Sequence, residues 1–211
     1  MSKKEAPKTN GKLVPSYDKL IEIIGAQKIL GKIIIFLSGT WDLIHIGHCR
    51  YFLSAIEEVM RITARSREDI ILVVGVDNDE EVKARKGKFR PIVPESERAE
   101  MLEYLESVNY VIIKTEAEQS WNLAELIKPN YVVISKTTKV VGEERDTMIE
   151  KIRQFADDVV LLPPQAETST TGKIRLLLIE PLDDVRKEFD TFVTGFYSVL
   201  DRISGSGGDR L

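Results

Sequence analysis

The sequence of 211 residues predicts an α/β fold, a doubly wound five-stranded parallel sheet with an added amphipathic helix at its C-terminal end. Five short apolar runs rich in β-branched residues have the length and composition of strands buried on both faces. Segments with apolar residues at helical spacing separate these runs, and such alternation favours a parallel sheet with right-handed crossovers. The chain is long enough for one domain of this kind with an added segment. The five predicted strands are residues 32–37, 70–76, 110–113, 131–134 and 159–162.

The segments between the strands are predicted as helices or loops from the spacing of their apolar residues. A first helix ends at Gly31, where a glycine commonly terminates helices, and a second begins near Gly47. Pro94 suits the first turn of a later helix, because its missing N–H would have no partner there. The run from Lys83 to Arg90 is interpreted as a basic loop. The first of these helices covers residues 17–30, and two others are predicted over residues 121–127 and 143–155.

The C-terminal part of the chain carries a separate pattern. Apolar residues from Leu182 to Ile203 repeat at steps of three and four, which predicts one amphipathic helix with Pro181 in its first turn. The helix could fold back on its own domain or be shared by two chains, and we expect a homodimer with the helix in the contact. The expected division is a flexible N-terminus over 1–16, a main domain over 17–180, this helix over 181–203 and a flexible tail over 204–211.

Composition limits the classes of partner and compartment. A formal net charge of -4 gives no basic surface for nucleic acid, so neither DNA nor RNA is expected as a partner. The single cysteine, Cys49, excludes an internal disulfide, and too few ligand residues accompany it for a structural zinc site. No apolar run reaches membrane-spanning length, and the first residues lack the apolar core of a signal peptide. A cytoplasmic protein without a membrane contact is expected.

The most informative stretch is residues 36–48, which leads from the first strand into a helix. His45 and His48 lie three residues apart, so both rings can occupy one face of the first helical turn. Gly47 lets a ligand approach the backbone, and the unpaired amides of that turn attract anions. Two imidazoles there could donate hydrogen bonds to phosphate oxygens whose charge grows during transfer. Alternatively, one histidine caps the helix and the other packs against the protein.

Two further groups of side chains could bind phosphate. Lys86 and Arg90 are predicted to contact a triphosphate, because Gly87 and Pro91 fix the backbone beside each charge. For the neighbouring cations Lys83, Arg85 and Lys88, a phosphate contact and a solvated surface remain equally open. The row Ser169, Thr170 and Thr171 precedes a helical segment, so it is either a helix cap or part of a phosphate site.

These motifs resemble those of a known enzyme family. Residues 39–48, Gly-Thr-Trp-Asp-Leu-Ile-His-Ile-Gly-His, resemble the signature of the cytidylyltransferase-like nucleotidyltransferases, with Trp41 where phenylalanine is usual. Residues 86–94, the pair Glu97-Arg98, residues 108–111 and the row 169–171 look like the heptose-phosphate adenylyltransferase branch, which makes ADP-activated heptose. The resemblance covers roughly residues 20–178 and implies a Rossmann-like nucleotidyltransferase fold.

The resemblance also implies a reaction and a set of roles. The enzyme would transfer a nucleotidyl group from ATP or CTP to a phosphorylated small molecule, such as heptose 1-phosphate, and release pyrophosphate. His45, His48 and Lys86 would be the catalytic residues. A magnesium ion held mainly by the substrate phosphates is expected as cofactor. The nucleotide would contact Gly39, Thr40, Gly47, Arg90, Ser169, Thr170 and Thr171, and Asp79 would face the acceptor.

Other functions remain open at this stage. Residues 135–139, Ser-Lys-Thr-Thr-Lys, replace the Lys-Gly-Gly-Asp-Tyr that is usual in the heptose branch. A cytidylyltransferase for glycerol, choline or ethanolamine phosphate is one alternative. That group usually carries an arginine at the position of Pro164. A nucleotide-binding module of the same fold without turnover is another.

Overall fold

The computed structural model of the chain describes residues 10–115, 120–136, 145–166 and 170–205. The chain divides into two compact units, residues 1–167 and 168–211. The first unit contains a sheet flanked by helices, and the second is one long helix. The unit boundary therefore lies before the expected one at residue 180.

The sheet confirms the predicted fold class. Its five strands are parallel throughout and follow the order β3-β2-β1-β4-β5, so the chain order reverses on the two sides of β1. The carboxyl end of β1 is therefore the point where such sheets bind ligands. The strands are β1 (Ile33–Gly39), β2 (Ile70–Val76), β3 (Tyr110–Ile113), β4 (Tyr131–Ser135) and β5 (Asp158–Leu162). The helices are α1 (Tyr17–Ile29), α2 (Ile46–Thr63), α3 (Asp79–Lys86), α4 (Glu95–Glu103), α5 (Ser120–Ile127), α6 (Arg145–Ile152) and α7 (Thr170–Gly205), with a short 3-10 turn at Arg67–Asp69.

The core consists of two apolar layers, one on each face of the sheet. Successive side chains of β1 point to opposite faces, so Ile34 and Phe36 enter one layer and Ile35 and Leu37 the other. The first layer is completed by apolar residues of α1, α5 and α6, and the second by those of α2 and α4. All seven residues of β2 are buried, as expected for an interior strand of a covered parallel sheet.

Part of the segment expected to be a flexible N-terminus is bound to the domain. Val14 donates its N–H to the carbonyl of Val111 in β3 at 2.8 Å, and Val111 donates to the carbonyl of Lys12 at 2.8 Å. The Glu103 carboxylate accepts the amides of Lys12 and Leu13 at 3.0 and 2.8 Å. These bonds cover the open edge of β3, where an unpaired strand would otherwise expose its polar backbone.

The segment interpreted as a basic loop begins as a helix. Asn78 caps α3 by accepting the amide of Glu81 at 2.7 Å, and α3 ends only at Lys86. Its acidic residues occupy the first turn and its basic residues the last, which suits the helix dipole. The charges that suggested a loop therefore stabilise a short helix.

The C-terminal helix is longer than predicted. It begins at Thr170, continues through Pro181 and ends at Gly205, whereas the apolar pattern placed it between Leu182 and Ile203. A proline within a helix removes one backbone hydrogen bond and leaves those of the other turns in place. Residues 206–211 of the expected tail lie outside the described part of the chain.

Candidate active site

The two histidines lie at the beginning of α2, just past the carboxyl end of β1. Their rings stack with centroids 3.9 Å apart, so the spacing of three residues brings them together as predicted. His45 is the N-cap of the helix, and its Nδ1 accepts the amide of Gly47 at 3.1 Å. Nδ1 of His48 accepts the amide of His45 at a longer 3.4 Å. His45 therefore caps the helix, as the alternative interpretation proposed for one histidine. Its ring nevertheless stacks with the ring of His48.

These bonds determine which nitrogen of each ring carries the proton. When Nδ1 of a neutral imidazole accepts a hydrogen bond, the proton lies on Nε2. Both neutral rings are therefore Nε2–H donors, the form that can bond to a phosphate oxygen. A side chain at Gly47 would disturb this arrangement, because its Cβ would lie 2.9 Å from Cε1 of His45 and 2.9 Å from Cβ of Ala166.

Trp41 holds the turn that precedes the histidines. Its backbone is in the left-handed region with φ of 53°, and its indole N–H donates to the carbonyl of Gly75 at 2.8 Å. The indole contacts the His48 ring edge-on, with centroids 5.5 Å apart. A Cβ at position 39 would lie 2.9 Å from the indole, so Gly39 makes room for it. This contact explains a glycine at position 39, and the role of Gly39 at the nucleotide stays a prediction.

Thr40 is the point on which several charged side chains converge. Its hydroxyl accepts hydrogen bonds from Nζ of Lys86 at 2.9 Å and from Nη2 of Arg85 at 3.0 Å, and it donates to Asp77 at 3.1 Å. The structure thus brings together Thr40 and Lys86, which the sequence predicted separately. It also adds Arg85, whose role the sequence left open.

Lys86 occupies an environment that is short of negative charge. Burial lowers the pKa of its ammonium group below the ordinary value, and the positive charges of Arg85 and Arg90 lower it further. Asp77 and Asp42 oppose this shift without overcoming it. An incoming phosphate would supply the missing charge and favour the protonated ammonium.

Sequence reasoning missed the buried ion cluster beneath Thr40. The carboxylate of Asp77 accepts from Nζ of Lys114 at 2.8 Å and pairs with Arg85, and Lys114 also lies 3.0 Å from Glu81. Burial alone would raise the pKa of Asp77, but the charges and hydrogen bonds of Lys114 and Arg85 lower it below its usual value. A polar residue directly after two adjacent apolar strands, at 77 and at 114, was the available signal.

Arg98 is the second buried charge that the sequence did not identify as part of the site. Its guanidinium donates to the carbonyl of Thr40, to the carbonyl of Asp77 at 2.8 Å and to Asp79 at 2.6 Å. It therefore ties the ends of β1 and β2 to α4 while being 1% exposed. The fork of donors on arginine suits such a junction.

Arg90 and Asp42 form an ion pair beside the site. Nε and Nη2 of Arg90 bond to Asp42 at 3.0 and 2.9 Å. The same carboxylate accepts the amides of Ile92 and Val93 at 3.1 and 3.0 Å. Asp42 therefore orients the backbone of the segment that follows Arg90. The contact of Arg90 with a triphosphate stays a prediction, since in this structure its guanidinium binds a carboxylate.

Asp79 follows β2, whereas the histidines follow β1. Its backbone amide bonds to Glu95 at 2.6 Å, and its side chain borders a cavity of about 890 Å³. Asn78, Lys83 and Lys114 also line this cavity, so it offers carboxylate, amide and ammonium groups. An acceptor with hydroxyl and phosphate groups could bond to such groups.

The row of hydroxyl residues is only partly described. Ser169 lies outside the described residues, and Thr170 and Thr171 form the first positions of α7. The predicted role of these three residues at the nucleotide therefore remains a prediction. The altered segment at 135–139 is described only for Ser135 and Lys136.

Comparison with protein families decides the class of this site. The model of the cytidylyltransferase-like family matches residues 36–175, which include both histidines, Thr40 and Lys86. The chain belongs to the cytidylyltransferase-like family. The match confirms the resemblance read from the motifs, and it identifies the chain as a nucleotidyltransferase of the cytidylyltransferase-like family.

Curated relatives of this cytidylyltransferase-like chain are considerably longer proteins. The bifunctional protein HldE of Aliarcobacter butzleri is 38% identical over 165 residues, which are 77% of this chain and 30% of that protein. The bifunctional protein HldE of Geobacter metallireducens is 37% identical over 161 residues, 76% of this chain and 31% of its own length. The chain thus spans about three tenths of the length of these relatives.

A solved structure from Thermoplasma volcanium aligns with part of this chain. Its lipopolysaccharide core biosynthesis protein aligns with a TM-score of 0.49 and 20% identity, covering 62% of this chain and 95% of that one.

Two further observations concern a metal and a membrane. Within the described ranges, His, Cys, Asp and Glu side chains form no group of three that could hold a metal ion. None of the helices in those same ranges is long and apolar enough to cross a membrane.

Proposed function

We propose that this chain transfers a nucleotidyl group from ATP or CTP to a phosphorylated sugar, such as heptose 1-phosphate, and releases pyrophosphate. The observation that carries the proposal is the stacked pair His45 and His48 on the first turn of α2, with both neutral rings as Nε2–H donors. Thr40, directly after β1, accepts hydrogen bonds from Lys86 and Arg85. Donors and cations around one strand end suit the transfer of a phosphoryl group.

In this reaction an oxygen of the acceptor phosphate attacks the α-phosphorus of the triphosphate. The new bond joins that oxygen to the α-phosphorus, and the bond between the α-phosphorus and the bridging oxygen to the β-phosphate breaks. Pyrophosphate leaves with the electron pair, and no covalent enzyme intermediate is needed. Catalysis then depends on positioning and on charge neutralisation.

Each residue has a role in this scheme. His45 and His48 donate from Nε2 to oxygens of the α-phosphoryl group, where negative charge is stabilised by donors fixed in advance. The amides at the beginning of α2 and the helix dipole favour the same anion. Lys86 and Arg85 attract the β- and γ-phosphates and the leaving pyrophosphate, and Thr40 holds both cations in place.

Magnesium belongs to the proposal as a cofactor bound through the substrate. The carboxylates nearest to the site, Asp42 and Asp77, already pair with Arg90, Arg85 and Lys114. These residues fit an ion held by phosphate oxygens and water, which is the usual mode for magnesium at a triphosphate. When bound, the ion would neutralise phosphate charge.

The acceptor is proposed to lie in the cavity bordered by Asp79. Two observations support a sugar phosphate: the carboxylate and amide groups of this cavity, and the motifs at residues 86–94 that resemble the heptose branch. Because the reaction uses nucleoside triphosphates, we place it in the cytoplasm. We also propose that the chain forms a homodimer.

The test is release of pyrophosphate by the purified chain over a matrix of triphosphates and acceptors. The matrix combines ATP and CTP with heptose 1-phosphate, glycerol phosphate, choline phosphate and ethanolamine phosphate, each with and without magnesium. We expect turnover with a sugar phosphate that is lost without magnesium. Turnover only with CTP and an alcohol phosphate would show that the acceptor is an alcohol phosphate and not a sugar phosphate.

A control separates the active site from contamination. The His48→Ala variant should lose the activity, while Arg61→Gln, an exposed change on the same helix whose side chain bonds Glu58, should retain it. If the wild type binds triphosphates in a thermal-shift assay yet releases no pyrophosphate with any acceptor, the chain is a binding module.

A further inference from the structure

The C-terminal helix α7 presents an unusually regular apolar seam. Val185, Phe189, Phe192, Phe196 and Val199 are spaced alternately by four and three residues, which is the heptad repeat of a coiled coil. Each of these side chains is at least 50% exposed in the single chain. Val193 and Leu200 lie beside this seam, at position e of the same repeat, and widen its apolar stripe. The heptad spacing of the seam and its exposure in the single chain favour another helix as its partner.

The residues that flank the seam indicate which helix this partner is. With Phe189 and Phe196 at position a, Phe192 and Val199 fall at position d, and Glu188 and Arg202 fall at position g. In an antiparallel pair the g positions of the two helices face each other across the seam, whereas in a parallel pair g faces e. A second copy of this chain supplies an arginine for Glu188 only in the antiparallel case.

One antiparallel register satisfies the seam and the charges together. When Phe192 of one helix packs against Phe196 of the partner copy, Phe189 packs against Val199. In that register Glu188 lies opposite Arg202, and the two-fold symmetry makes this ion pair twice. Shifting the register by one heptad in either direction leaves Glu188 without a cation opposite it.

A parallel pairing lacks this complementarity. There Glu188 would face Val193 of the partner copy, and Gly195 would face Leu200. Glu188 and Arg202 would then be two heptads apart, about 21 Å along the axis. The charges therefore distinguish the two orientations.

The exposed apolar area of the seam supplies a large part of what a dimer contact requires. A phenylalanine side chain carries about 150–250 Å² of surface, so three of them, each more than half exposed, would remove about 250–450 Å² per chain from water. Val185, Val199 and the flanking residues extend this toward the about 800 Å² per partner that is usual for specific interfaces.

We propose that α7 forms an antiparallel two-stranded coiled coil with α7 of a second copy, with Phe192 packed against Phe196 and Glu188 paired with Arg202. The second copy is the occupant that the seam and the flanking charges fit together. This contact involves none of the residues assigned to nucleotidyl transfer, so it stands independently of the proposed reaction.

The first experiment tests the seam with matched variants of the full chain. Mass by light scattering and sedimentation should show a dimer for the wild type and a monomer for Phe192→Lys. Tyr197→Lys removes an equally exposed aromatic residue of α7 from outside the seam, so this control should remain a dimer. Circular dichroism at 222 nm reports whether the variants stay folded. A monomeric wild type, or a folded dimeric Phe192→Lys variant, overturns the proposal.

The second experiment tests the orientation by exchanging charges. Glu188→Arg alone and Arg202→Glu alone each place like charges opposite one another twice, so the dimer dissociation constant should rise about tenfold or more at low salt. The double variant Glu188→Arg with Arg202→Glu should return it close to the wild-type value. Because the two positions are far apart in a parallel pair, the absence of this rescue would refute the antiparallel register.

Discussion

Replacing Asp77 with asparagine is the sharpest test of the buried ion cluster. The change keeps the size of the side chain and removes its charge, which leaves the ammonium of Lys114 with Glu81 as its carboxylate partner. The Asp77 and Lys114 side chains are 2% and 0% exposed, so water cannot replace the lost partner. Breaking a buried pair in this way costs about 3–5 kcal/mol.

The assay is urea unfolding followed by circular dichroism, with thermal unfolding in parallel. A loss of 3–5 kcal/mol corresponds to a melting temperature lower by about 6–20 °C for a protein of this size. The control is Asp69→Asn, whose carboxylate lies 3.7 Å from Lys32 with both side chains about a third exposed. Such a surface pair contributes about 0–1 kcal/mol. A loss for Asp77→Asn no larger than that of the control would refute the assigned role of Asp77.

Two further measurements separate charge from other effects. The double variant Asp77→Asn with Lys114→Met should be more stable than Asp77→Asn alone, because it no longer buries an ammonium that has lost one of its two carboxylate partners. Both the single and the double variant should show a raised Michaelis constant for the triphosphate, because Arg85 and Thr40 lack the carboxylate that orients them. If that constant is normal, the cluster supports the fold only.

The same ion pair predicts a dependence of stability on pH. The pKa of Asp77 is lower in the folded chain than its ordinary value. Its contribution is therefore present above the pKa of the unfolded chain and is lost as the pH falls through the folded pKa. The Asp77→Asn variant should lack this part of the acid dependence, so its stability should approach that of the wild type in acid.

Three other predictions concern the nucleotide. His45→Ala or His48→Ala should lower turnover by about 10²–10³ and weaken triphosphate binding much less, because the donors act mainly in the transition state; steady-state kinetics beside calorimetry measures both. Because the pKa of Lys86 is lowered, the affinity for the triphosphate should decline with rising pH already below the ordinary pKa of a lysine. Arginine keeps its charge to higher pH, so the Lys86→Arg variant should show this decline at a higher pH in calorimetric titrations. The joint change Thr170→Ala and Thr171→Ala should raise the Michaelis constant for the triphosphate with little change in melting temperature, whereas a large stability loss with normal kinetics would mean a helix cap.

The sequence by itself determined the order of strands and helices, because the periods of apolar residues are local. The five strands agree with the predicted runs to within a few residues, and β2 and β3 coincide with them. The spacing of His45 and His48 likewise predicted the stacked rings, since three residues on a helix return a side chain to the same face. The family was recognisable for the same reason, because its motifs are contiguous stretches of chain.

Only the tertiary structure decided how distant charges are paired. Asp77 and Lys114 lie at the ends of neighbouring strands, and nothing in their local sequence indicates that one will neutralise the other. Arg90 was expected at a phosphate, and nothing in the sequence indicated its pairing with Asp42, which arises because the chain folds the two segments together. In the sequence Arg85 is one of several neighbouring basic residues. In the structure it lies on α3, and its guanidinium donates a hydrogen bond to the Thr40 hydroxyl. Burial in the folded chain turns such charges from solvated surface groups into partners, and which pairs form depends on contacts between segments far apart in the sequence.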